Sequence, residues 1–184
     1  MKRIYLTLAI LAAISLCVAI TLGLSIGDAK SEDLGVQQQV GNHMLIGMGV
    51  LTFATLVHAI GLTYFMGTGR WIEETSQAYS LDGSYHSENQ RIKYKSLPLM
   101  TTCILLMVAT GALGAVADPA TPASLEGTLG MTDATIHLLV SVTTAVLNML
   151  AFASQFVAIS RNSVIVDTVL ADVKRIREER GLPV

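Results

Sequence analysis

Four histidines, at positions 43, 58, 86 and 137, are the side chains of this 184-residue chain whose type and setting best suit chemistry. Three stand in long uncharged apolar runs: His43 and His58 in GNHMLIGMGVLTFATLVHAIG, and His137 in ATIHLLVSVTTAVLNML. An ionisable side chain at membrane depth is costly, so each is a functional candidate by default. His43 and His137 lie near the starts of two apolar runs that enter the bilayer from the same side, which places their imidazoles at one level. Two imidazoles from different helices at one level are the axial set of a b-type haem, whose iron takes one nitrogen on each face. Gly47, one turn from His43 on the same face, leaves space for a macrocycle. Without a carboxylate beside them, the two are an incomplete set for a bare transition-metal ion. His86 stands in a charged segment with no companion ligand and reads as a solvated residue.

His58 follows His43 by fifteen residues. That separation is about 22 Å along a helix and about 60° around it after whole turns. The two therefore face a similar sector, one in each half of the membrane. Membrane dihaem cytochromes b place two ligands on one helix at about this separation, and the spacing resembles theirs. The resemblance stops at the second helix, because fifteen residues beyond His137 stands Phe152, which cannot bind iron, with Gln155 the strongly polar residue nearby. Met100 and Met107 remain as sulfur donors for His58, which makes it a weaker ligand candidate than the level-matched pair. One haem toward the external face is expected ahead of two. A structural role competes at every site, since a neutral histidine is satisfied by a hydrogen bond to Asn42, Thr135, Asn148 or a carbonyl on the next helix.

The elements that must position these residues follow from composition. Hydrophobic residues make up 52% of the chain, charged residues only 14%, and the mean hydropathy is +0.56. Charges are segregated from four runs free of Asp, Glu, Lys and Arg, at residues 4–26, 41–66, 97–117 and 134–160. Each is long enough for a hydrocarbon core, which takes roughly 20 helical residues. Backbone amides in lipid must be satisfied within their own segment, and no run alternates as a barrel strand does. The expected fold is an all-α membrane protein: a four-transmembrane-helix bundle over 1–160, with a cytoplasmic amphipathic C-terminal helix over 161–184.

Orientation follows from the basic residues. All twelve except Lys30 fall in the segments on one side, and positive charge favours the cytoplasmic face. A multi-pass protein of a bacterial-type inner (plasma) membrane with both termini cytoplasmic is expected. The first run, preceded by MKR, exceeds the roughly 7–15 apolar residues of a signal peptide core and reads as a retained helix. No basic patch stands apart from this asymmetry, so nothing points to nucleic acid.

The external connections, 27–40 and 118–133, are short and rich in turn formers. The internal segment 67–96 reads as two short helices: one continuing the second span past GTG with Trp71, Thr75 and Ala78 or Tyr79 toward the membrane, the other capped by Ser87. Pro98 then falls in the first turn of the third span, where its missing amide costs little. GTG lacks the lysine and preceding strand of a phosphate loop and reads as strain relief where the helix leaves the bilayer. In the tail, Val166, Val169, Leu170, Val173 and Ile176 share one face, suited to packing on the inner segment, lying on headgroups or docking a partner. Gly181 and Pro183 end it. Small residues at four-residue spacing, Ala19, Gly23 and Gly27 on the first span and Thr110 with Gly114 and Gly111 with Ala115 on the third, allow close helix approach. Two cysteines at membrane depth with no CxxC make neither a disulfide framework nor a zinc ribbon.

No serine, cysteine or carboxylate constellation suggests hydrolytic chemistry, so no catalytic residue is assigned. The leading expectation is a non-catalytic accessory or scaffold subunit of a membrane assembly, acting as a homo-oligomer or within a larger complex. The alternative is a b-type haem-binding subunit for electron transfer or quinone interaction, ligated by His43 and His137. A small-solute transporter or channel subunit comes last, because the spans carry no acidic or basic side chain for a relay or ion ring.

Overall fold

A computed structural model describes residues 1–126 and 130–183. Four helices account for the regular structure: α1 (Lys2–Leu24), α2 (Leu34–Tyr79), α3 (Ser84–Ala117) and α4 (Asp133–Glu179). No strand occurs among the described residues. All four are long and apolar enough to cross a membrane. At 1.5 Å per residue α1 is about 34 Å long, close to one hydrocarbon thickness, whereas α2 and α4 reach about 70 Å.

Local chemistry explains the helix ends. Asp33 caps α2, its Oδ1 accepting from the Gly35 and Val36 amides at 2.7 and 3.2 Å. Three helix-tolerant glutamines follow, and α2 therefore starts at Leu34, shortening the connection expected over 27–40. Its far end closes with Ser80 in the left-handed region (φ 56°) and Leu81 N–H on the Ser76 carbonyl at 2.9 Å. Thr132 caps α4 by accepting from Thr135 N–H at 3.2 Å. At its end Gly181 has φ 66° and Leu182 N–H reaches the Arg177 carbonyl at 2.9 Å.

The first helix expected over 67–96 does continue the second span past GTG, as the end of α2, whereas the second is no separate short helix but the start of α3, which runs unbroken from Ser84 through Pro98. Asp82 rather than Ser87 serves the start of α3, its Oδ1 accepting the Ser84 amide at 2.8 Å, while Ser87 Oγ donates to the Ser84 carbonyl. Pro98 is thus interior and deprives the Tyr94 carbonyl of its usual donor. Tyr94 is 62% exposed beside Lys93 and Lys95, where that carbonyl meets solvent or headgroups.

α1 packs on α2 and α4, α3 packs on α2 and α4, and α2 meets α4 across the centre, while the backbones of α1 and α3 do not approach closely. The buried stripe of α1, Tyr5, Ala9, Ala12 and Leu16, keeps helical spacing. It joins Val50, Ala54, Val57, Phe65, Ala145, Phe152 and Ile159 in one core. Ile4, Ile10, Leu11, Ile14 and Val18 on the rest of α1 are exposed, an apolar outer surface suited to lipid.

At the end where α1 begins, α2, α3 and α4 run on past its first turn as a three-helix extension. Gly69, Ile72, Ser76, Asn89, Ile92, Asn162 and Val169 are buried there. On this part of α2 Ile72 and Ser76 are buried against the other helices, and Trp71 and Thr75 are half-buried. The C-terminal part of α4 is no separate helix but the end of α4, packed on the other two. Tyr85 donates to Asp172 Oδ2 at 2.8 Å, and Arg177 donates to the Tyr79 hydroxyl at 3.0 Å. Val169 is fully buried, whereas Leu170 points outward at 50% exposure.

Candidate functional site

The α1–α2 and α3–α4 connections lie at one end of the bundle, here the connector end. The termini and the α2–α3 turn define the terminus end. Near the connector end, His43 on α2 and His137 on α4 face each other across the centre. Their ring centroids are 6.1 Å apart and their planes are inclined at 75°.

Each ring rests on a glycine of the preceding helix. A Cβ added at Gly23 would come within 2.9 Å of His43 Cε1, and one at Gly114 within 3.1 Å of His137 Cε1. The small-residue pairs on α1 and α3 thus make room for imidazoles as well as for helix contact. The arrangement occurs twice: the His43 ring lies beside the Ala19 carbonyl and the His137 ring beside that of Thr110, each one turn before the glycine. Neither approach meets hydrogen-bond geometry, and both Nδ1 atoms are buried without a partner. A buried polar atom left unpaired costs stability, and here two such atoms stand on facing rings. A Cβ at Gly47 would meet nothing within 4 Å, so the face of α2 next to His43 is open.

His58 is different. It is fully buried and stacked on Phe152, with ring centroids 4.9 Å apart. Both ring nitrogens are engaged: Nε2 with Asn148 Oδ1 at 2.8 Å and Nδ1 with Gln155 Nε2 at 2.7 Å. The chain of bonds has a determined direction. Asn148 Nδ2 donates to the Thr144 carbonyl at 2.8 Å, a group that can only accept, so Oδ1 faces His58. Nε2 must then carry the proton and Nδ1 must accept from the Gln155 amide. That turns Gln155 Oε1 toward the Tyr5 hydroxyl, which donates at 2.7 Å. His58 is therefore a neutral Nε2–H tautomer locked among α1, α2 and α4, with neither nitrogen available to a metal unless this chain breaks. Met107 is buried, its Sδ accepting from Thr55 Oγ1 at 3.8 Å, and Met100 is buried on the same helix.

Sequence reasoning named Asn148 as a partner type and Gln155 as the polar residue at that level, but missed Tyr5. A lone tyrosine in the first turn of an apolar helix gives no clue to the direction it faces.

A second buried polar cluster ties the three-helix extension together. Asn89 donates to Asn162 Oδ1 at 2.6 Å, and Asn162 donates to Thr68 Oγ1 at 2.8 Å. Gly69 permits this, since a Cβ there would lie 2.5 Å from Asn89 Oδ1. The GTG glycine is therefore needed for close helix contact rather than for strain relief. His86 is half-buried instead of solvated: its Nδ1 lies 3.3 Å from the Gly69 carbonyl and its Nε2 accepts from Gln90 at 3.1 Å. Cys17 and Cys103 are unpaired. No group of three or more His, Cys, Asp or Glu side chains converges among the described residues.

No family model, curated protein or solved structure matches this chain. Chemistry must therefore be read from the donor set alone. Two imidazoles each about 2 Å from a shared metal have ring centres roughly 6 Å apart, comparable with the 6.1 Å between His43 and His137. A bare ion would still need further ligands from the protein. A haem brings four equatorial nitrogens of its own and asks only for two axial ones.

Proposed function

We propose that this protein is an integral-membrane subunit that holds one b-type haem between His43 and His137 and passes electrons to or from a partner at the connector end. The observation that carries this reading is the facing pair of imidazoles, 6.1 Å apart, each seated on a glycine and each with an unpartnered buried Nδ1. α2 and α4 supply one ligand each, and α1 and α3 each place a glycine, Gly23 and Gly114, against one of the two rings. The adjacent carbonyls of Ala19 and Thr110 are placed to take an imidazole N–H once small ring rotations close the distance. Such a bond orients a metal-bound histidine and raises its basicity.

The reading puts the protein in a bacterial-type inner membrane with its termini in the cytoplasm, because Arg70, Lys93, Lys95 and Arg161 gather at the terminus end. Fusions of a periplasm-active reporter to residue 30 and a cytoplasm-active reporter to residue 184 test this. Both should be active, and the reversed pattern would overturn the orientation. The haem reading is tested by expressing the protein with supplied haem and recording the absorption of the purified, dithionite-reduced form. A haem α-band is expected, and its absence would defeat the proposal.

A second reading, an accessory or scaffold role within a larger membrane assembly, is favoured by a separate feature. α2 and α4 project about 20 Å and 28 Å beyond Met66 and Ser160, and with α3 they form a structured extension with a charged outer surface. Deleting 161–184 should leave any haem signal in place and abolish copurification of partner subunits. Unchanged copurification would remove the support for this role.

A further inference from the structure

The charges and grooves at the terminus end point to a bound phospholipid. α1 begins at Lys2, whereas α2 and α4 continue past that level, and the resulting step is lined on two sides. Along α2, from Leu56 through Ile60 and Tyr64 to Thr68, runs an apolar groove of about 490 Å³. It adjoins a second, more polar and widely open depression of about 590 Å³, which shares Met1, Tyr64 and Thr68 and is bordered by Lys2, Arg3, Ser163 and Asp167. From Leu56 to Thr68 the helix rises about 18 Å, roughly the half-thickness of a hydrocarbon core. A Cβ at Gly67 would meet nothing within 4 Å, so the groove stays open where chain meets headgroup.

Three charged side chains border the polar depression, two positive and one negative. None of Lys2, Arg3 and Asp167 forms an ion pair among the described residues. Both signs are therefore available to a ligand. A basic pocket between membrane helices suits a lipid phosphate, and a carboxylate in the same wall suits a cationic group three or four bonds away. An acyl chain in the apolar groove completes the match.

We propose that this step binds one phospholipid of the adjoining leaflet whose headgroup carries both a phosphate and a primary ammonium. Lys2 and Arg3 take the phosphate, Asp167 takes the ammonium, and the Leu56 to Thr68 face takes an acyl chain. A purely anionic headgroup would set its phosphate on the same bases but leave Asp167 unpaired and repelling. This inference is independent of the haem reading.

The test is native mass spectrometry of the full chain, released from mixed micelles containing equimolar dioleoyl phosphatidylethanolamine and dioleoyl phosphatidylglycerol. The parent protein should retain the ethanolamine lipid over the glycerol lipid by about threefold, the size of one exposed ion pair. Asp167→Asn should erase that preference. Gly67→Phe, which fills the groove without altering charge, should lower retention of both lipids, with helix content checked by circular dichroism. Equal or better retention of the glycerol lipid by the parent, or an unchanged preference in Asp167→Asn, would overturn the proposal. So would full retention in Gly67→Phe.

Discussion

Replacing Gln155 with leucine is expected to destabilise the bundle through two partners at once. Gln155 is 1% exposed, and it accepts from Tyr5 at 2.7 Å and donates to His58 at 2.7 Å, both of them fully buried. Leucine fills much of the space but leaves the Tyr5 hydroxyl and His58 Nδ1 unpaired. Interhelical side-chain hydrogen bonds in bilayer proteins average about 0.6 kcal/mol and reach about 1.7 kcal/mol, so losing two costs about 1–3 kcal/mol. The two bonds can be separated. Tyr5→Phe removes one of them and strands only Gln155 Oε1, so the double variant should cost less than the sum of the single ones. The expected coupling is about 0.6–1.7 kcal/mol, the worth of one such bond. Reversible unfolding in mixed micelles, driven by rising dodecyl sulfate fraction, measures all four corners of this cycle. Gln155→Leu within about 0.5 kcal/mol of the parent, or additivity within about 0.3 kcal/mol, would refute the argument. The same chain predicts that nitrogen NMR of labelled His58 reports a protonated Nε2 and a bare Nδ1, and the opposite tautomer would break the derivation at Asn148.

Other expectations follow from single contacts. Gly23→Ala should push His43 out of its seat and lower haem occupancy in a spectroscopic titration, whereas Gly49→Ala, whose Cβ would meet nothing within 4 Å, should not. In the three-helix extension, the hydrogen bond from Tyr85 and then the Arg175 guanidinium hold the Asp172 carboxyl below the ordinary aspartate range, and the same bond raises the Tyr85 hydroxyl. The contact's contribution is fully present above the unfolded aspartate pKa and is lost as pH falls through the depressed one. On the alkaline side it is lost as pH rises through the raised tyrosine value. The exchange protection of amides 164–179, measured relative to the intrinsic rate at each pH, should fall at both extremes in the parent, and Asp172→Ala should show the lower protection already at neutral pH. Asn89→Leu should loosen the extension by removing the bond to Asn162, read as faster proteolysis between Ser80 and Gly83.

The four membrane-crossing segments and their order were legible in the sequence because charge-free runs of membrane length have few alternatives, but the full lengths of α2, α3 and α4, which run on past those segments, were not. Nor were the helix rotations. On a helix that is apolar all round, lipid-facing and core-facing positions carry the same residue types, so periodicity loses its contrast. That is why the buried positions of Tyr5 and Ile72 escaped notice while the segregated charges of the extension were easy to place. Pro98 was read by local preference as marking the start of a span, and the GTG glycines as strain relief where the helix leaves the bilayer. Tertiary contacts overrode both, with Asn89 packed on Gly69 and α3 held by α2 and α4 on either side of the proline. The level match of His43 and His137 could be read from their distances to the starts of their runs. Their convergence could not, because it depends on which faces α2 and α4 turn inward.

The most direct test of the central claim is the reduced-minus-oxidised absorption spectrum of the purified full chain after expression with supplied haem, recorded for the parent and for His43→Ala, His137→Ala, His58→Ala and His86→Ala. One haem per chain with a sharp α-band is expected in the parent. It should be lost in His43→Ala and His137→Ala and retained in His86→Ala, with His58→Ala keeping the band if the protein folds. A parent without the band, or a band that survives loss of His137, would contradict the account.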